Sequence, residues 1–287
     1  MSSEPITRVG VVGAGQMGAG IAEVSARAGV DVLVFETTDA LAAAGRQRLT
    51  KSLQRGVSAG KITEPERDAT LDRLSFTTEL KDLADRQLVV EAVIEDEAVK
   101  TEIFARLDAV IEDPDAILAS NTSSIPIMKM AAATQNPQRV LGLHFFNPVP
   151  VLPLVELVTT LVTGEAAADR AETFAGAVLG KQVVRCPDRS GFVVNALLVP
   201  YLLSAIRMAE AGVAETDGID KAVVAGLSHP MGPLRLADLI GLDTLELIAD
   251  KMYEEYKEAM YAPPPLLRRM VEAGLLGKKS GQGFYKY

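Results

Sequence analysis

Arg8-Val9-Gly10-Val11-Val12-Gly13-Ala14-Gly15-Gln16-Met17-Gly18 is an apolar run that passes straight into Gly-x-Gly-x-x-Gly. The run reads as a buried strand, and Met17 to Ala28 reads as a helix with Ile21, Val24 and Ala28 on one face and Gly29 as its stop. Val30-Asp31-Val32-Leu33-Val34-Phe35-Glu36 then repeats the strand pattern and ends on an acid. Gly13 permits the tight turn, Gly15 lets a pyrophosphate approach the main chain, and Gly18 lets the helix press on the strand. A glycine triplet alone marks many ordinary loops. Strand, triplet, helix, strand and terminal acid in register specify a dinucleotide seat, with Glu36 placed for the adenosine ribose. A carboxylate there accepts hydrogen bonds from a free 2′-hydroxyl and repels a 2′-phosphate. No arginine follows at Thr37, Thr38 or Asp39, so the expected cofactor is NAD, not NADP.

Working outward, residues 40 to 61 read as mostly helical, with Leu49, Leu53 and Val57 on one face. Arg48, Lys51, Ser52 and Arg55 share another face, Arg46 and Lys61 lie nearby, and no acid occurs from Ala40 to Thr63. In a chain of formal net charge -9, this is either a solvated basic face or a seat for a phosphorylated ligand other than the dinucleotide. A short helix near 64–71 and a weak strand near 74–77 lead to Gln87-Leu88-Val89-Val90-Glu91-Ala92-Val93, again a buried strand by pattern. The helix after it is expected to turn Val99, Ile103, Leu107, Val110 and Ile111 inward, and Ala116-Ile117-Leu118-Ala119 is a further strand. The cluster Ser120-Asn121-Thr122-Ser123-Ser124 at its end either meets a ligand or caps a helix over residues 126 to 133, and Ser123 suits both uses. Ligands of open parallel sheets bind beyond the carboxyl ends of the strands, so Gly13, Glu36, Glu95, Ser123 and His144 are expected along one rim.

His144 is one of only two histidines. Val140 to Leu143 reads as a strand that ends on it, and Phe146 to Pro153, which holds three prolines, is a rigid connection to a second strand from Leu154 to Val158. A histidine at the tip of one strand and Glu156 at the start of the next can face each other as an oriented general base. Imidazole, with an ordinary pKa of about 6.5, takes and returns a proton near neutral pH, and a carboxylate beside it fixes the tautomer and stabilises the imidazolium. By spacing alone, a core histidine bonded to a carbonyl fits equally well.

A helix from about Glu165 to Gly180 and a strand from Gln182 to Arg185 complete the alternating pattern, which breaks at Cys186-Pro187-Asp188-Arg189-Ser190-Gly191. Apolar helices follow over Phe192 to Ala211, Thr216 to Gly226, Leu234 to Tyr256 and Pro265 to Ala273, with Pro-Met-Gly-Pro at 230–233 and Gly-Leu-Asp at 241–243 at the joints. The fold class is therefore α/β: an N-terminal Rossmann-type dinucleotide-binding domain over 1–187 and an all-helical domain over 188–287, the latter expected to bind substrate and to dimerise through its excess apolar surface. Cys186 is the only cysteine, which excludes an internal disulfide and suggests a reducing, cytoplasmic setting. The N-terminal stretch Met1 to Arg8 has no secretory or transit pattern. The most apolar stretch, Phe192 to Ala209, is broken by Asn195, Pro200 and Arg207, so no membrane partner is expected. The acidic balance argues against nucleic acid, and the chain shows no cluster of His or Cys for a metal.

The chain resembles the 3-hydroxyacyl-CoA dehydrogenase family along its whole length. The motifs that carry the likeness are Gly-Ala-Gly-Gln-Met-Gly at 13–18, Val-Val-Glu-Ala-Val-Ile-Glu at 89–95, Ala-Ser-Asn-Thr-Ser-Ser at 119–124, Gly-Leu-His-Phe-Phe-Asn-Pro-Val-Pro at 142–150, Gly-Phe-Val-Val-Asn at 191–195 and Gly-Lys-Lys-Ser-Gly-Gln-Gly-Phe-Tyr at 277–285. Short bacterial members without a fused hydratase, which act on 3-hydroxybutyryl-CoA, are the nearest likeness. The resemblance implies His144 as general base, Glu156 as its orienting partner, and Ser123 and Asn195 as hydrogen-bonding groups around an acyl-CoA substrate. It implies NAD contacts at Gly13, Ala14, Gly15, Gln16, Met17, Gly18, Glu36, Glu95, Lys100, Ser123, Asn147 and Lys279. For coenzyme A it points to Ser52 and a lysine shortly after, but Ala59 stands where relatives place that lysine, so Lys61 or the face Arg48, Lys51 and Arg55 is the expected substitute. Two other readings stay open: a related NAD-dependent dehydrogenase of a free hydroxy acid, and a non-catalytic dinucleotide-binding protein.

Overall fold

The computed structural model describes residues 5–287; the first four, part of the stretch Met1 to Arg8 read above for a leader pattern, lie outside the described residues. The chain divides into two compact units, the first ending at Asp188 and the second beginning at Arg189.

In the first unit, β1 (Arg8–Val12), α1 (Gln16–Arg27) and β2 (Asp31–Phe35) are followed by the helical hairpin α2 (Asp39–Ser58) and α3 (Glu64–Asp72). The order continues with β3 (Leu74–Thr77), β4 (Leu88–Glu91), α4 (Glu97–Val110), β5 (Ile117–Ser120), α5 (Ile127–Ala131), β6 (Val140–Phe145), β7 (Leu154–Thr159), α6 (Glu165–Thr173) and β8 (Gln182–Pro187). One eight-stranded sheet results, ordered β3-β2-β1-β4-β5-β6-β7-β8 and parallel except where β7 runs against β6. Its first six strands have the doubly wound dinucleotide order, and the strand order reverses between β1 and β4, the point beyond whose strand ends sheets of this kind bind their ligands. Every residue of β4, β5 and β6 is buried, as helices on both faces of a parallel sheet require.

Two helices depart from the sequence pattern. On α4 the residues turned to the core are Lys100, Phe104 and Leu107, with Ile111 beyond, instead of the face through Val99, Ile103 and Val110. A lysine holds a core position there because two carboxylates await it, as described below. The helix expected to run unbroken from Glu165 to Gly180 widens after Thr173 into a π turn over Phe174–Val178, where the Leu179 N–H donates to Phe174 O at 3.0 Å.

The second unit holds α7 (Val194–Glu210), α8 (Thr216–Leu227), α9 (Pro233–Ile240), α10 (Leu242–Tyr256) and α11 (Pro265–Glu272), packed around Leu202, Leu203, Ile206, Leu234, Leu245 and Met252. The run from Leu234 to Tyr256 is two helices because Gly241 takes φ 103°, a conformation that side chains with a Cβ disfavour. Among the described residues no helix is long and apolar enough to cross a membrane.

Candidate active site

The turn after β1 is shaped by contacts that exclude side chains. Gly13 takes φ 95°, and its N–H donates to Phe35 O at 2.9 Å. A Cβ at Gly13 would stand 2.8 Å from Ala92 O, and one at Gly18 would stand 1.9 Å from Gly13 O. Gly15 differs, since a Cβ there would meet nothing within 4 Å. That open space lies at the start of α1, whose cap carries no side-chain hydrogen bond, so the first amides of the helix face a cradle fitted to a pyrophosphate. Glu36, just past the end of β2, accepts the Ala14 N–H at 2.5 Å, which places its carboxylate beside the same turn. Arg48 reaches from α2 to donate to Ala14 O, and Gly45 makes room for that approach: its Cβ would lie 2.2 Å from Ala14 Cβ. The residues at this turn therefore fit a dinucleotide.

At the other end of the rim, β6 and β7 pair antiparallel with His144 directly opposite Glu156. His144 Nδ1 lies 2.7 Å from Glu156 Oε2, and the carboxylate is fully buried. A carboxylate oxygen only accepts, so Nδ1 carries the proton and the neutral ring presents Nε2 as its lone-pair nitrogen. Ser123 Oγ lies 3.0 Å from that Nε2, placing a hydroxyl at the ring's basic edge. The Phe146 ring packs on the imidazole at 4.6 Å between centroids, and Asn121 Oδ1 accepts the Phe145 N–H at 2.9 Å, so the strand end is held on both sides of the histidine. Asn147 meets Gln16 at 3.1 Å, tying this connection to the start of α1. Farther along it, Val149 sits so close to Gly20 that a Cβ would come within 2.8 Å. The imidazole and the dinucleotide turn thus share one edge of the sheet.

Ser123 is aimed by a buried ionic network. Glu91 at the end of β4 accepts from Lys100 Nζ at 2.6 Å, from Ser120 Oγ at 2.6 Å and from the Val93 N–H at 2.7 Å. Lys100, 1% exposed, also lies 3.3 Å from Glu95, which in turn accepts the Ser123 N–H at 3.1 Å and the hydroxyls of Thr122 and Ser124. Burial opposes ionisation of Glu95, but the Lys100 ammonium and the two hydroxyls outweigh it and hold its carboxyl below the ordinary value. The alternative use of Ser123 as a helix cap does not occur. The α5 amides of Ile127 and Met128 donate instead to Asp188, at 3.0 and 2.8 Å.

The remaining sequence candidates fall in different places. Lys51, Arg55 and Lys61 are exposed, whereas Ser52 is half-buried beside the carboxylate of Glu23. Asn195 stands in the first turn of α7, and Lys279 pairs with Asp243 at the start of α10, 2.6 Å away. Both belong to the second unit. The sequence gives no role to Glu91, for which a lone acid inside an otherwise apolar strand was the available signal, and it offers Ser120 and Asn121 only as members of the polar cluster after β5. Among the described residues, no group of three or more His, Cys, Asp or Glu could hold a metal ion.

The family model described as 3-hydroxyacyl-CoA dehydrogenase, NAD binding domain, matches residues 8–189, and the one described as 3-hydroxyacyl-CoA dehydrogenase, C-terminal domain, matches residues 191–287. The chain is 78% identical over 285 residues to a 3-hydroxybutyryl-CoA dehydrogenase of Mycobacterium tuberculosis, covering 99% of this chain and 100% of that protein. It is 46% identical over 280 residues to a probable 3-hydroxybutyryl-CoA dehydrogenase of Deinococcus radiodurans, covering 98% and 100%. The crystal structure of (S)-3-hydroxybutyryl-CoA dehydrogenase from Ralstonia eutropha superposes with a TM-score of 0.94 at 40% identity, covering 98% of this chain and 99% of that one.

Proposed function

The chain belongs to the 3-hydroxyacyl-CoA dehydrogenase family, and from that premise we propose that it interconverts a (3S)-3-hydroxyacyl-CoA and the matching 3-ketoacyl-CoA with NAD, the four-carbon pair 3-hydroxybutyryl-CoA and acetoacetyl-CoA being its substrates. The observation that carries the proposal is the Glu156–His144–Ser123 line at the strand edge shared with the glycine turn.

When bound, NAD supplies the acceptor for the hydride that leaves C3. The protein's part is the proton. His144 Nε2, free of hydrogen in the tautomer set by Glu156, takes the proton of the 3-hydroxyl as C3 becomes a carbonyl, and in the reducing direction the imidazolium returns it. Glu156 touches no substrate; it is a positioning residue whose charge stabilises the imidazolium. Ser123 donates to the substrate oxygen at the same edge, and Asn195 from the second unit is its companion in this reading. NAD contacts are assigned to the turn residues 13–18, Glu36, Glu95, Ser123, Asn147 and Lys279, with Lys100, buried at 1% exposure, bracing Glu95 instead of touching the cofactor.

We assign the protein to the cytoplasm as a homodimer. Support for the dimer comes from large apolar side chains left exposed on the helical unit, among them Leu197 at 74%, Val213 at 65% and Leu227 at 62% exposure. The test of function is the loss of NADH absorbance on adding acetoacetyl-CoA, compared with free acetoacetate and with longer 3-ketoacyl thioesters. Turnover of acetoacetate at the rate of its thioester would overturn the assignment to coenzyme A substrates.

A further inference from the structure

The connection that carries the chain from His144 on β6 to Glu156 on β7 cannot satisfy its own main chain. Its prolines at 148, 150 and 153 lack an N–H, so residues 146–153 hold more carbonyl acceptors than amide donors. The Val151 and Leu152 N–H groups close a turn on Pro148 O at 2.9 and 3.0 Å, and Pro153 O takes the Gln182 N–H of β8 at 2.8 Å. The Val149 and Leu152 carbonyls accept no main-chain N–H among the described residues. One side chain serves both: Lys181 Nζ donates to Val149 O at 2.6 Å and to Leu152 O at 2.7 Å, from 32 and 29 positions farther along the chain. An ammonium has three donors and no acceptor, which suits a surplus of carbonyls, and its charge strengthens each bond.

The π turn after α6 accounts for the place of Lys181. Gly180, at φ 68°, ends the helix, and the Lys181 N–H donates to Ala175 O at 2.9 Å. That acceptor is one residue farther back than the Gly176 O that an ordinary α-helix ending on glycine would use. The widened turn therefore sets the point from which Lys181 leaves the helix, and π turns recur at functional sites.

What Lys181 holds is the reaction edge. Phe146 of the connection packs on the imidazole, Asn147 meets Gln16, and Val149, 2% exposed, wedges against Gly20 of α1. The pairing of His144 with Glu156 is fixed separately, by the β6–β7 ladder.

We propose that Lys181 is a positioning residue of the dehydrogenation: its ammonium pins the connection against α1 and so keeps Asn147 at Gln16, on the edge shared by the imidazole and the glycine turn. Lys181 touches no reacting atom and works through Asn147. The proposal rests on the NAD-dependent reading above.

The test compares wild type with Lys181→Met. The variant should bind NADH, followed by fluorescence, ~5-fold or more weakly, since two charge-assisted hydrogen bonds are lost. The pH at which His144 titrates in the kcat profile should not move, because the ladder still sets it against Glu156. Gln16→Ala should cost less NADH affinity in the Lys181→Met background than in wild type, as both changes release Asn147. Hydrogen exchange at the Val151 and Leu152 amides should quicken ~10-fold or more in Lys181→Met. Unchanged NADH affinity in Lys181→Met overturns the proposal, and so does an equal cost of Gln16→Ala in both backgrounds, which would mark Lys181 as merely structural. A change confined to the KM for acetoacetyl-CoA overturns it too, by placing Lys181 at the thioester. If wild type reduces no thioester or binds no NADH, the dehydrogenase reading fails instead, and unchanged exchange at the two amides would still sink the clamp.

Discussion

Glu36 accepts the Ala14 N–H at 2.5 Å, so the acid that closes β2 is bound to the middle of the glycine turn it is expected to serve. Arg48 donates to the carbonyl of the same residue, so a guanidinium already stands beside that carboxylate. Removing the acid would leave a local surplus of positive charge where a 2′-phosphate would lie. Glu36→Ser should therefore raise kcat/KM for NADPH relative to NADH by ~10-fold or more, and Thr37→Arg added to it should raise the ratio further. Steady-state assays with both cofactors check this. Wild type already preferring NADPH would contradict the assignment of Glu36 to the ribose.

Lys100 and Glu91 form an ion pair that is almost entirely buried, with exposures of 1% and 0%. Removing one member leaves the other charge buried without its partner, which typically costs ~3–5 kcal/mol. Lys100→Met should lower stability to urea by that order, and Lys100→Met/Glu91→Gln should be more stable than the single variant. Because Lys100 also braces Glu95, which holds the Ser123 N–H, the single variant should lose kcat as well. A Lys100→Met protein within ~1 kcal/mol of wild type would show that the pair has no structural role.

Cys186 lies in β8, where burial first, then the negative charges of Glu156 and Asp188, push its thiol up to about 12. The neutral thiol is therefore the form present throughout the neutral and mildly alkaline range, and only the thiolate reacts with disulfide reagents. At pH 8 the folded protein should be modified ~10²-fold more slowly than the unfolded chain, and the rate should climb with pH without levelling off below about pH 11. Rapid labelling of the folded protein at pH 8 would contradict the burial of Cys186 in β8, beside Val158 of β7.

The parts of this architecture that were legible in the sequence are those written in short stretches. The glycine turn and Glu36 span one strand-helix-strand unit, and the three prolines after His144 force the reversal that sets it opposite Glu156. What escaped depends on residues brought together from afar. A lysine is normally assigned to solvent, so the core position of Lys100 could be read only with Glu91 and Glu95 in place. The cap of α5 comes from Asp188, some sixty positions on in the chain, which freed Ser123 for the histidine.

The central claim is that His144, held by Glu156 at 2.7 Å, moves the proton of the 3-hydroxyl. Its most direct test is kcat for acetoacetyl-CoA reduction by His144→Gln, with NADH affinity measured by fluorescence on the same preparation. A fall in kcat of at least ~10²-fold with NADH affinity unchanged is the predicted result, that being the usual contribution of a positioned acid or base. A kcat within a few-fold of wild type would contradict the claim.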